Sequence, residues 1–327
     1  GWRPRLRVDS SWGIVPAVAL STEELLFDED RLDAALEIAL PFRRFVFERE
    51  PRFQWVHGQL DLSYKWPGFL DGAVSPVVDG ATAVSRYGRS DPLVERYLTA
   101  RGEVFANLMF ELPGRLETKL GTGLSSVGVF DIEPGPEGSD DLGEDSDRHH
   151  FVARVELVKR FERNVIRLDL QDEIRLQLRV GTSGSDDILA EIRYDMRFTS
   201  HIDRHDLIVR ARGVLLTGDV RFWDQEPVAS SQQRTYFDDR YWVEELLQVS
   251  VDFRFTFLHW FKAGVFHDLS SFFDPTRGGE PLTVIDSFGP SLHFLIFDVL
   301  SLDMYYGLGF SPAGFSHNFS LRVERAF

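Results

Sequence analysis

From Ser11 onward the chain alternates between stretches with a two-residue hydrophobic period and connectors rich in Gly, Pro and charge. That period is the mark of strands with one apolar and one polar face. The clearest example is Ile188 to Phe198. Ile188, Ala190, Ile192, Tyr194, Met196 and Phe198 face one way, and Glu191, Arg193, Asp195 and Arg197 face the other. Leu247 to Phe257 repeats the pattern, with alternating apolar partners of Asp252 and Arg254, and Phe315 to Phe327 closes the chain on the same period. A face of consecutive charges, repeated strand after strand, has to meet water. In a soluble sandwich it looks outward while the apolar face packs on a second sheet. In a transmembrane barrel it lines the lumen while the apolar face meets lipid.

The connectors decide between the two. Those after odd-numbered strands are mostly long or acidic, and those after even-numbered strands are nearly all short. A soluble meander has no reason to sort its loops by parity, whereas a barrel has short periplasmic turns on one rim and long extracellular loops on the other. The expected fold is therefore all-β, a transmembrane antiparallel β-barrel of about fourteen strands, with twelve to sixteen compatible with the pattern. Residues 1–10 are expected as a short periplasmic segment and residues 11–327 as the barrel. The first strand, about Trp12 to Leu20, carries Gly13 and Pro16, which weaken a ladder because Pro donates no hydrogen bond and Gly packs nothing. Pro67 to Thr99 is expected as a long outer connection, and Asp131 to Arg148 as a solvated acidic loop.

Composition narrows the function classes. No run of about 18 apolar residues exists, so no helix spans a bilayer; barrel strands leave almost no such signal. The aromatic share is 13%, with 28 Phe, which suits a lipid-facing belt. Cysteine is absent, which fits passage through an oxidising periplasm. The formal charge of −16 argues against nucleic acid, whose phosphates require clustered Lys and Arg. The start at Gly1 and Trp2 fits a mature chain whose signal peptide has been removed. No nucleophile elbow, no metal-ligand spacing and nothing that places a His beside a Ser is found, and His149 and His150 adjoin the acidic loop as solvated residues. An enzyme is not expected, and neither a cofactor nor a metal.

The segment Gln233 to Trp242, QRTYFDDRYW, resembles the loop motif of the BamA/TamA-type outer-membrane assembly (surface antigen) family. ARGVLLTGD at Ala211 to Asp219, VDFRF at Val251 to Phe255, VFHD at Val265 to Asp268, LSLDMYYGLGF at Leu300 to Phe310 and the terminal strand follow in that family's order. The resemblance implies a loop, about 219–241, that folds into the lumen. Its Arg, by the match Arg234 with Tyr236 beside it, would be held by wall carboxylates at Asp252 and Asp268. Thr235 and Asp239 stand where the motif has glycines. The resemblance also implies a terminal assembly signal, here Phe319, Leu321, Val323 and Phe327, and a weak seam between first and last strands, here at Gly13 and Pro16.

On that reading the protein resides in a bacterial outer membrane, in contact with its lipid, and assists insertion or translocation of unfolded outer-membrane protein clients. Separate periplasmic or lipoprotein subunits would supply the role of the POTRA repeats that precede the family's barrels. The alternatives are a structural anchor in an envelope complex and a passive channel or porter; a lumen filled by the loop would disfavour the channel.

Overall fold

A computed structural model describes residues 2–9, 13–26, 29–39, 57–69, 73–88, 94–135, 146–163, 168–181, 187–202, 204–228, 241–273, 282–296, 300–312 and 314–325. In chain order the strands are β1 Trp2–Asp9, β2 Gly13–Glu23, β3 Arg31–Ala39, β4 His57–Lys65, β5 Val74–Gly88, β6 Val94–Leu112, β7 Leu116–Pro134, β8 Ser146–Arg163 and β9 Leu168–Gly181. There follow β10 Ile188–Ile202, β11 His205–Gly218, β12 Glu226–Pro227, β13 Trp242–Val243, β14 Glu245–Leu258, β15 Phe261–Phe272, β16 Thr283–Ile296, β17 Leu300–Ser311 and β18 Gly314–Arg325. β12 and β13 form a separate two-stranded ribbon; the other sixteen make one closed antiparallel barrel in sequence order.

The faces are sorted as lipid and lumen would sort them. On β14, Leu247 and Phe257 are 53% and 65% exposed, whereas Gln248 and Asp252 are 1% and 2% exposed. A soluble sandwich gives the opposite result, with apolar residues inside. The outer surface has aromatic contacts at both ends of the strands. Phe257, Trp260, Phe261 and Phe294 lie near the β14–β15 turn, and Phe288, Phe310 and Phe315 lie toward the opposite rim. Loop parity holds in the main. One rim carries the connections 24–30, 66–73, 113–115, 164–167, 203–204, 259–260 and 297–299, and the other carries 40–56, 135–145, 219–244 and 273–282 together with the short 10–12, 89–93, 182–187 and 312–313; the two added strands exchange the rims expected for the connections before β6.

Two expectations are corrected. The barrel has sixteen strands, the upper end of the twelve to sixteen compatible with the pattern and two more than its central value, because two segments with the look of connectors are strands. β1 occupies residues expected outside the barrel: Trp2, Pro4, Leu6 and Val8 alternate with Arg3, Arg5 and Arg7, and the strand pairs with β2 from Trp2↔Leu20 to Asp9↔Gly13. β5 lies inside the expected connection Pro67 to Thr99. Its outward face, Pro76, Val78, Gly80, Thr82 and Val84, is interrupted by Pro, Gly and Thr, and its inward face carries Val77, Ala81 and Ala83 among Ser75, Asp79 and Ser85, so the period carries little contrast.

The seam is relocated by the same correction. Gly13 and Pro16 belong to the second strand, where they stand opposite Asp9 and Leu6 in register, and the strand that meets the C-terminal strand is β1. β17 and β18 pair from Leu300↔Arg325 to Ser311↔Gly314. Among the described residues, β1 and β18 share the single register pair Val8↔Val323.

Candidate functional site

The site begins where β11 leaves the wall. Gly218 has φ 105°, and a Cβ there would lie 2.1 Å from the Ile188 carbonyl oxygen. Only glycine makes this close passage without strain. The Asp219 amide then donates to that same oxygen at 2.8 Å, and the chain turns into the lumen. A tight turn follows, with the Asp224 amide donating to the Arg221 carbonyl at 2.9 Å.

Aromatic residues anchor the inward limb. Trp223 is buried with Val94, Tyr97, Val127, Val129 and Ile132 from the wall of β6 and β7. Phe222 meets Tyr97 edge-on at 5.1 Å and Trp223 at 4.7 Å. Beyond it, Glu226 and Pro227 pair with Val243 and Trp242, and the Val228 amide donates to the Tyr241 carbonyl at 3.0 Å. Val228, Tyr241 and Val243 sit in a second cluster with Leu189, Val214, Leu216, Leu246, Phe272 and Ile285. Burying valines such as Val228 and Val243 contributes about 2 kcal/mol each before the entropy of ordering the limb is counted.

Between the two clusters the limb meets an arc of arginines, one from each of five strands. Arg101 on β6 donates to the Trp223 main-chain oxygen. Arg148 on β8 lies 3.1 Å from Asp219 and 5.7 Å from the Trp223 ring centroid. Arg179 on β9 lies 3.7 Å from Asp224. Arg193 on β10 is 3.1 Å from Glu226, and Arg212 on β11 bonds the other oxygen of the same carboxylate. The planar guanidinium fork suits carboxylates held this way. Burial pushes the Asp224 carboxyl above the ordinary aspartate value in spite of Arg101 and Arg179. At Asp219 burial acts upward too, but the hydrogen bond from Arg148 and the charges of Arg221 and Arg148 outweigh it and hold the group below that value.

Toward the short-turn rim, between β2 and β9, a cavity of about 640 Å³ remains. Ser21, Glu23, Asp33, Asp61, Glu103 and Arg175 are among the side chains that line it.

The residues singled out from sequence fall as follows. Asp252 and Asp268 both face the lumen, at 2% and 0% exposure. Asp252 lies 2.8 Å from Arg254, and Asp268 pairs in register with Ser250 and Ser287. Arg234 and Tyr236, the loop residues expected to meet these carboxylates, lie outside the described residues. Phe319 is outward and exposed, Leu321 and Val323 lie on β18 opposite Met304 and Leu302, and Phe327 lies outside the described residues. The solvated reading of His150 is overturned: the residue is 6% exposed, with Nε2 3.3 Å from Asp187.

The absence of any His beside a Ser is corrected as well. His293 has Nε2 2.9 Å from Ser291 Oγ and Nδ1 2.8 Å from Asp303. Ser291 is 2% exposed and its strand is paired on both sides. Its hydroxyl is thereby held within the wall. The group extends a buried network in which Arg254 reaches Asp252 at 2.8 Å and the Tyr305 hydroxyl at 3.2 Å. Periodicity showed that these side chains face inward; it could not show which strands they join.

Along the described limb, acidic loop residues are held by basic wall residues, contacts additional to the basic loop residue and acidic wall residues that the resemblance implies. The arginines were legible as lumen-facing from strand alternation. Asp224 and Glu226, two apart beside a tryptophan, were the loop's signal.

No protein-family model matches the sequence, and no curated protein matches it. Solved structures do match in fold. The barrel of BamA from Haemophilus ducreyi lacking POTRA domains 1–3 superposes with a TM-score of 0.76 at 11% identity, over 99% of this chain and 70% of that one. CdiB from Acinetobacter baumannii gives 0.65 at 14% identity, over 99% and 60% of the two chains. CdiB from Escherichia coli gives 0.59 at 12% identity, over 100% and 63%. The chain thus has the fold of these barrels and spans less than two thirds of the CdiB chains.

Proposed function

We propose that this protein is an outer-membrane barrel that assists insertion or translocation of outer-membrane proteins. The observation that carries the reading is the seam. β18 is paired with β17 along its length, whereas among the described residues it meets β1 through Val8↔Val323, and Pro4 in β1 offers no amide to the ladder. An edge so weakly committed is a template for another strand. The sequence resemblance to the BamA/TamA-type family and the shared fold with BamA and CdiB barrels support the same reading. The clients are outer-membrane proteins as a class. The lumenal limb disfavours a passive channel, because it stands across the path of solutes.

The test is the rate at which an unfolded client barrel inserts into liposomes containing this protein. The chain has no cysteine, so Val8→Cys with Val323→Cys creates the sole disulfide. Acceleration by the reduced protein and its loss on oxidation are expected, while a control bridge from Leu302→Cys with Val323→Cys, across β17 and β18, leaves the rate unchanged. Equal rates with and without the protein, or with the seam locked and unlocked, would remove the proposal.

A further inference from the structure

We infer that the arginine arc is a binding site for an extended acidic peptide segment, which the limb Asp219 to Val228 occupies in cis. This rests on the reading of the barrel as one that handles unfolded protein clients, and it assigns the class of segment that the lumen takes.

Three features separate the arc from ordinary loop packing. First, the contacts are ones that any extended acidic segment offers. Arg101 and Gln248 take main-chain oxygens, of Trp223 and Val228, while Arg193 and Arg212 share the carboxylate of Glu226. Main-chain oxygens and carboxylates are read without regard to the rest of the sequence, apart from the pocket that holds Trp223. Second, Asp224 ends the turn that its amide closes onto the Arg221 carbonyl, and Glu226 begins the ribbon paired with Val243 and Trp242. The bend sends their carboxylates to arginines on neighbouring strands, Arg179 on β9 for one and Arg193 and Arg212 on β10 and β11 for the other.

Third, the limb does not saturate the arc. The Nε atoms of Arg101 and Arg179 are buried without a hydrogen-bond acceptor among the described residues. A buried guanidinium donor left unmade is costly, so a segment with a further carboxylate gains what the limb leaves unused. Glu103 and Glu191 lie 3.8 and 3.4 Å from Arg179; no comparable wall carboxylate is within ion-pair distance of Arg101 among the described residues. When the limb withdraws, Arg193 keeps Glu191 at 3.0 Å and Arg212 keeps Asp195 at 3.8 Å, but both lose Glu226, the carboxylate they share.

The experiment uses the full-length chain in planar bilayers. Glu226→Lys opposes Arg193 and Arg212 with like charge, and is expected to release the limb and raise conductance. A synthetic peptide with the sequence of Asp219 to Val228 is then added, alongside a counterpart with the Asp219 and Glu226 carboxylates replaced by amides. The acidic peptide is expected to half-block at about ten-fold lower concentration than the neutral one, the range in which a lost charge-assisted hydrogen bond is read. Adding Arg193→Gln and Arg212→Gln to the same background should abolish that preference.

If Glu226→Lys leaves conductance unchanged, the same labelled peptides are titrated onto the detergent-solubilised chain and followed by fluorescence anisotropy, with the same expected preference. Equal potency of the two peptides, or a charge preference that survives loss of both arginines, overturns the inference. A peptide result of either sign is independent of the client-insertion rate, so failure here leaves the seam reading standing, and failure there leaves this site standing.

Discussion

Asp224 and Asp219 sit five residues apart on one limb and respond to pH in opposite directions. Asp224 is pushed up chiefly by burial. Its docked form prefers the proton, so its contribution to docking is full at low pH and is lost as pH rises through the raised value. At Asp219 the upward push of burial is outweighed by Arg148 and Arg221, which hold the group down. Its contribution is present above the free aspartate value and is lost as pH falls through the depressed one. Asp224→Asn is therefore expected to be tolerated at neutral pH, or to tighten the limb by a few tenths of a kcal/mol. Asp219→Asn should loosen it by under about 1 kcal/mol, as partly exposed pairs do. Trp223 is buried in the limb's anchor, so its fluorescence against denaturant, at neutral pH and at about pH 4, reads both. A larger loss from Asp224→Asn than from Asp219→Asn at neutral pH would contradict the assignment.

At the scale of elements, one hinge and one buried network carry most of the consequences. Gly218 lets the limb leave β11 beneath the Ile188 carbonyl. Gly218→Ala adds a Cβ at positive φ and against backbone, which costs about 1–3 kcal/mol. The barrel remains folded in this variant and the limb is displaced, so bilayer conductance should rise while the gel mobility of the folded barrel is unchanged. The network of Arg254, Asp252, His293, Asp303 and Tyr305 ties β14, β16 and β17 along the lumenal wall. Arg254→Gln removes the cation beside the buried Asp252, while Asp303 keeps His293, at a cost of about 3 kcal/mol. The temperature at which the folded band disappears on a semi-native gel should fall clearly below that of the parent protein, and an unshifted transition would show that the network is not structural.

For the whole molecule the balance lies between fifteen extended strand pairings and one sparse one. A barrel removes sheet edges by closing. Among the described residues closure rests on Val8↔Val323, next to a β1 that carries Pro4. The seam should open under conditions that leave the remaining pairings intact. Hydrogen exchange is expected to be fast for β1 amides and slow for those of β10 and β11, which pair from Leu189↔Gly218 to Ile202↔His205. Uniform protection around the barrel would remove the structural basis for a client-accepting edge. The limb runs through the loop-side lumen from the β6–β7 wall to the side of β10 to β16, and the cavity of about 640 Å³ lies toward the other rim; the parent protein is expected to conduct small ions poorly in either orientation.

What the sequence by itself determined is the sorting of faces. A two-residue period of apolar and charged residues assigns every side chain of β10 or β14 to one side, and loop parity assigns the rims, because both follow from local backbone geometry. It determined neither the strand total nor the seam. β5 has too little contrast between its faces, and the arginines and Pro4 of Trp2–Asp9 hid an alternation that pairing with β2 makes real. Only the tertiary structure decided which inward residues meet. Glu226 lies between Arg193 and Arg212, and Ser291, His293 and Asp303 form one chain of hydrogen bonds, because strand register and the path of a loop through the lumen bring together residues distant in sequence. Such contacts depend on closure of the whole sheet, which no local period encodes.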